Sequence, residues 1–89
     1  MWKVEAAKGF ERYLRKLGND ELKRFDQAID ELANSNDPRK LGKEKQGNLK
    51  GNFTYEIGRT YRLLYKMNLD EKKIILLRYG TYKQVYGKD

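Results

Sequence analysis

Glu56, Arg62 and Arg78 are the charged residues whose spacing could bring chemistry together. Alternate side chains of an extended strand face opposite ways, and these three oppose the set Tyr55, Ile57, Tyr61, Leu63, Tyr65, Leu77 and Tyr79. The aromatic and aliphatic set suits a core beneath helices. The charged set then lies on the other, open face of the sheet, with Thr54 and with Lys50 from the preceding basic segment. Arg78 is embedded in Ile74-Ile75-Leu76-Leu77-Arg78-Tyr79, where an unpaired buried guanidinium would be strongly destabilising. Two arrangements avoid that cost: an ion pair with Glu56, or exposure to a solvent-filled groove.

Arginines, lysines and tyrosines with one carboxylate on a concave face suit cleavage of RNA by its own 2′-hydroxyl. The protein has to align the attacking oxygen, stabilise charge on the phosphorane oxygens, and help protons leave the 2′-oxygen and reach the 5′-oxygen. Arginine forks suit the second task, because two donors can hold phosphate oxygens at once. Tyrosine or lysine could serve the third only in a strongly positive site, since both titrate well above neutrality in water. Glu56 is the one nearby ordinary general base. Tyrosines also stack on unpaired bases. The sequence has no cysteine and no histidine, which excludes a disulfide scaffold, a cysteine-based zinc site and imidazole catalysis. No metal and no cofactor are expected.

Charge distribution points the same way. The formal net charge is +7, yet residues 1–38 carry seven Lys/Arg against eight Asp/Glu. The excess sits in residues 39–66, where Arg39, Lys40, Lys43, Lys45, Lys50, Arg59, Arg62 and Lys66 face only Glu44 and Glu56. A polyanion partner explains this asymmetry, with Lys43 and Lys45 among the RNA-contact candidates; a solvated surface fits it equally well.

These side chains need a scaffold, and the 89 residues suffice for one domain, 1–89. Trp2 and Val4 alternate with Lys3 and Glu5 as in a short strand. Phe10, Tyr13, Leu14 and Leu17 then fall on one helical face. After Gly18, a second helix capped by Asn19 or Asp20 carries Leu22, Phe25, Ile29 and Leu32 down to the turn formers Asn34-Ser35-Asn36-Asp37-Pro38. So short a break predicts an antiparallel helical pair. Arg39 to Asn52 reads as a long basic loop. Residues 53–57 and 61–67 alternate as a β-hairpin around Gly58–Thr60, and Lys73 to Tyr79 is apolar on both faces, as a central strand ended by Gly80 should be. Thr81 to Tyr86 forms a last helical turn. The expected class is α+β in the order β-α-α-β-β-β, the helical hairpin covering one face of a mainly antiparallel four-stranded sheet. Tyr55, Tyr61, Tyr65 and Tyr79 are expected to be core residues more than functional ones. Met1-Trp2-Lys3-Val4-Glu5 does not resemble a signal peptide, and no apolar run approaches the roughly 18 to 20 residues of a membrane span. A cytoplasmic location without membrane association is the expectation.

Leu49-Lys50-Gly51, Tyr61-Arg62-Leu63-Leu64-Tyr65 and Leu77-Arg78-Tyr79-Gly80 with Lys83 and Val85-Tyr86 resemble, in order and spacing, the RelE/ParE superfamily of type II toxin–antitoxin toxins. The resemblance covers nearly the whole chain and implies the microbial-RNase-like RelE fold. It further implies a ribosome-dependent messenger RNA endonuclease, and a cognate, RelB-like antitoxin that joins it in a hetero-oligomer. Carried onto this sequence, it places Arg62 on the scissile phosphate, Tyr86 close to the reacting nucleotide and Arg78 in the same cleft, with Lys50, Lys83 and Arg59 on the RNA backbone. Several members have histidine or arginine just after the last strand, where this chain has Thr81 and Tyr82. Tyr82 could replace that group as acid or base. The departure equally fits a gyrase-inhibiting toxin or a non-catalytic RNA-binding relative. Glu56, where some RNA-cleaving relatives have a basic residue, is either the base or a neutralising partner of Arg62.

Overall fold

The computed structural model describes residues 1–44 and 51–86. In chain order these form β1 (Lys3–Ala6), a 3-10 turn (Phe10–Tyr13), α1 (Asn19–Asn34), a second 3-10 turn (Pro38–Lys40), β2 (Lys43–Glu44), β3 (Asn52–Ile57), β4 (Tyr61–Asn68), β5 (Lys73–Thr81) and α2 (Tyr82–Tyr86). The α+β class is as expected. The helical hairpin is not, and the sheet has five strands in the order β1-β5-β4-β3-β2.

Residues 7–17 fail to become an α-helix although their apolar stripe has the right period. Gly9, at φ 81°, and Gly18 bound the stretch, and so short a segment cannot offset the cost of helix nucleation. It coils instead through three-residue turns: Phe10 N–H donates to Ala7 O at 3.0 Å, Leu14 N–H to Glu11 O at 2.9 Å and Leu17 N–H to Leu14 O at 3.2 Å. The same residues are buried nonetheless. Phe10 lies in the core and Tyr13, Leu14 and Leu17 pack against it, because residues three apart share a face in both helix types.

The one long helix, α1, starts one residue earlier than expected. Gly18 is its N-cap and the Glu21 carboxylate accepts the Gly18 N–H at 3.2 Å, satisfying an otherwise orphaned donor. Asn19 and Asp20 fall in the first turn. Phe25, Ala28 and Leu32 are buried and Ile29 packs beside them, while Lys23, Arg24, Asp26 and Asp30 face water.

In the sheet, β1 runs parallel to β5, and the other neighbours are antiparallel. Two residues of the presumed basic loop, Lys43 and Glu44, pair with Thr54 and Phe53 as the fifth strand. Nor does Gly80 end β5, since Tyr61 pairs with Thr81 beyond it. The parity argument needs one correction. Leu64 pairs with Arg78 but Tyr65 with Leu76, so Leu77 is the extra residue of a β-bulge. Such an insertion exchanges the faces of all residues on one side of it. Ile74 and Leu76 therefore enter the helix-side core together with Tyr79, and Leu77 leaves it half-buried.

Candidate functional site

Cross-strand pairing builds two rows on the sheet face away from α1. One runs Lys43–Thr54–Leu64–Arg78 and the other Glu56–Arg62–Gly80, since directly opposed residues share a face. Glu56, Arg62 and Arg78 thus come together as strand parity implied, and the bulge preserves this because it lies on the far side of Arg78.

Of the two ion pairs the sequence allowed for Glu56, the one with Arg62 forms and the one with Arg78 does not. Glu56 Oε1 lies 3.4 Å from Arg62 Nη2, its directly opposed neighbour, and Arg78 is bound elsewhere. Arg62 also donates from Nη1 to the main-chain oxygens of Tyr61 at 3.1 Å and Arg59 at 3.3 Å. Its side chain is only 20% exposed, against 53% for Glu56. The guanidinium is consequently held at the rim of the hairpin turn with one edge anchored by carbonyls.

Arg78 Nη1 donates to the main-chain oxygen of Val85 at 2.7 Å. That bond ties β5 to α2, and with it comes Tyr86, whose hydroxyl shares a 2.5 Å hydrogen bond with Thr54 Oγ1. The sequence dictates this return locally. Thr81 and Gln84 form a reciprocal cap, Thr81 N–H donating to Gln84 Oε1 at 2.8 Å and Gln84 N–H to Thr81 Oγ1 at 3.3 Å, the Thr-x-x-Gln pattern that starts a helix. Gly80 is required beside it, because a Cβ there would collide with the Gln84 side chain. Val85, Leu64 and Thr54 are buried outside the main core cluster, forming a small second core under α2. The face is accordingly less open than expected: Thr54 is covered.

Tyr82 is 50% exposed, with its ring centroid 4.6 Å from that of Tyr86. Lys83 is exposed on the same helix, as are Arg59 at the hairpin turn and Lys43 on β2. Lys45 and Lys50 lie outside the described residues. Arg39 contributes little to the basic surface, because Asp37 binds it through both carboxylate oxygens at 2.9 Å and is itself held below the ordinary carboxylate range by that contact.

The tyrosines expected in the core are there, each using its hydroxyl differently. Tyr65 donates to Pro38 O at 2.9 Å, Tyr55 to Glu31 at 2.7 Å and Tyr61 to Glu21 at 2.5 Å. Burial, followed by Glu31, pushes Tyr55 up to about 12. The Tyr61 hydroxyl and then the Gly18 N–H hold Glu21 below the usual range, and Tyr61 is raised in turn. Tyr79, pushed up to about 12 chiefly by burial, has a buried hydroxyl without a partner among the described residues.

Sequence reasoning missed one feature, a cleft of about 470 Å³ at the end of the sheet. Its walls include Arg12, Lys16 and Leu17 from the 3-10 side, Tyr61 and Tyr79 from the sheet, and Gln84 from α2. These residues are scattered over seventy positions, so no local motif announces them. Among the described residues no group of acidic side chains could hold a metal ion, and no helix is long and apolar enough to cross a membrane.

With this geometry in view, the comparisons are specific. The model of the ParE-like toxin family, toxins of type II bacterial toxin–antitoxin systems, matches residues 4–88. The fold is similar to that in the RelBE2 toxin–antitoxin complex of Mycobacterium tuberculosis, at 29% identity and a TM-score of 0.68 over 90% of this chain and 96% of the other. It is similar also to that in the archaeal RelE–RelB complex of Pyrococcus horikoshii, at 25% identity and a TM-score of 0.70 over 90% and 93%. YafQ of E. coli shares the fold at 16% identity, with a TM-score of 0.77 over 98% and 100%. No curated protein matches the sequence.

Proposed function

Since the chain belongs to the ParE-like toxin family of type II bacterial toxin–antitoxin systems, we propose that it arrests translation by cutting messenger RNA in the ribosome. The observation that carries this reading is the convergence of Arg62, Arg78 and Tyr86 on the sheet face opposite α1, Arg78 fastening to Val85 the helix that bears Tyr86.

The substrate's 2′-oxygen attacks the adjacent phosphorus, the bond to the 5′-oxygen breaks, and a 2′,3′-cyclic phosphate and a free 5′-hydroxyl result. Arg62, with one edge held by carbonyls, directs its remaining donors at the phosphorane oxygens, where a preorganised cation is worth most. Arg78 has Val85 O as its hydrogen-bond partner and adds positive charge from the neighbouring row. Glu56 takes the 2′-proton, its carboxylate kept beside the reaction by Arg62. Tyr86 or Tyr82 returns a proton to the 5′-oxygen, and the exposed Tyr82 ring offers a stacking surface for a base. Lys43, Lys83 and Arg59 hold backbone phosphates, joined by Lys45 and Lys50. Neither a metal nor a cofactor is assigned a role.

A RelB-like antitoxin is the proposed partner, supported by the toxin–antitoxin complexes of similar fold, and the site of action is the cytoplasm. Primer extension on translated messages from expressing cells tests the reading. New 5′ ends are expected with the wild type and none with Arg62→Ala. Arrested growth with intact messages, above all if purified gyrase is then blocked in supercoiling, would overturn it.

A further inference from the structure

The cleft at the end of the sheet is chemically distinct from the Arg62 site yet shares a wall with it. Tyr61 and Arg62 are consecutive on β4 and point to opposite faces; Tyr61 lines the cleft and Arg62 the site. Gly80, opposite Arg62 in register, lines the cleft as well, and so does Gln84 of α2. The cavity therefore sits at the strand end beside the reactive face, with the exposed Gln84 side chain lying over Gly80 between the two.

Its chemistry is that of an anion subsite. Arg12 and Lys16 supply two cations against no carboxylate among the lining residues. Lys16 and Arg12 have no ion-pair partner among the described residues, and the Arg12 guanidinium lies against Tyr13, its Nη2 3.4 Å from the hydroxyl and its Cζ 5.2 Å from the ring centroid. Gln84 adds amide polarity and Tyr13 and Tyr61 add ring surface. Tyr79, another wall, has a buried hydroxyl without a partner among the described residues.

We propose that this cleft binds a phosphate of the RNA strand flanking the scissile one, with Arg12 and Lys16 as its cationic ligands. The inference rests on the RNA-cleaving reading above. Adjacency to the Arg62 face favours an RNA strand over an acidic peptide, because one chain passing the strand end over the exposed Gln84 engages both places.

The test is binding of a fluorescein-labelled hexanucleotide with 2′-O-methyl riboses, followed by anisotropy over a salt series. Each phosphate contact on a single strand contributes about 0.7 to the log–log salt slope. Arg12→Ala/Lys16→Ala should lower the slope by about 0.7 and weaken binding about 5-fold at 0.1 M salt. Lys16→Gln alone should show half the slope change, which preserves the test if the double variant folds poorly. Lys3→Ala, at the other end of the sheet, should change little. If both cleft variants bind like wild type while Arg62→Ala binds weakly, the cleft proposal is overturned and the cleavage reading stands. Normal RNA binding with weakened antitoxin binding would assign the cleft to the protein partner and overturn it too. If wild type shows no salt-sensitive RNA binding, both fall.

Discussion

Replacing Tyr79 by phenylalanine should make the protein more stable, although Tyr79 is one of its most deeply buried side chains. The ring is well used: its centroid lies 5.0 Å from that of Phe25 and 5.4 Å from that of Tyr61, and phenylalanine keeps both contacts. What is removed is a buried hydroxyl without a partner among the described residues, a group whose desolvation costs about 1–3 kcal/mol. Tyr79→Phe should therefore gain roughly 1 kcal/mol at pH 7 in urea unfolding, with an unchanged m-value. The pH dependence follows from linkage. Folding raises the Tyr79 hydroxyl from 10 to about 12, so the folded state binds this proton more tightly. The associated stability is fully present below pH 10 and lost as pH rises toward 12. Two pKa steps correspond to about 2–3 kcal/mol, and Tyr79→Phe should remove that part of the alkaline fall while Tyr55 and Tyr65, raised by burial as well, retain theirs. A loss of more than 1 kcal/mol at pH 7, or an alkaline limb of unchanged depth, would refute the reasoning by showing the hydroxyl to be satisfied.

Leu64→Ala opens a cavity in the small core shared with Val85 beneath α2. It should cost about 2–4 kcal/mol in chemical unfolding, and loosened protease protection of α2 should accompany the loss. Glu56→Gln separates two roles for that carboxylate: as general base its loss should lower the single-turnover cleavage rate on programmed ribosomes about 10²- to 10⁴-fold. A rate within a few-fold of wild type would show that Glu56 only neutralises Arg62.

Much of the site was legible in the sequence because strand alternation is a local rule. Glu56 and Arg62 sit in a hairpin whose register the Gly58–Thr60 turn sets, so their pairing needs no distant information, and the burial of Phe10, Phe25, Leu32 and Tyr65 follows from local periodicity. Even α2 was readable, since Thr81 and Gln84 sit three apart as a cap requires. Other features depended on contacts that spacing does not encode. The bulge at Leu77 answers to the packing of two strands, and residues 10–17 are apolar at a helical period whether or not two bounding glycines leave them length to nucleate one. Lys43 and Glu44 become a strand only because Phe53 and Thr54 offer them an edge. The engagement of Arg78 was likewise tertiary, for it turns on α2 presenting the Val85 carbonyl to that guanidinium. Periodicity thus determined which residues of the β3–β4 hairpin face α1 and which face away from it, this being a property of neighbouring residues along one strand. The cleft of Arg12, Lys16 and Gln84 was decided by the fold alone, since it exists only where three distant segments meet.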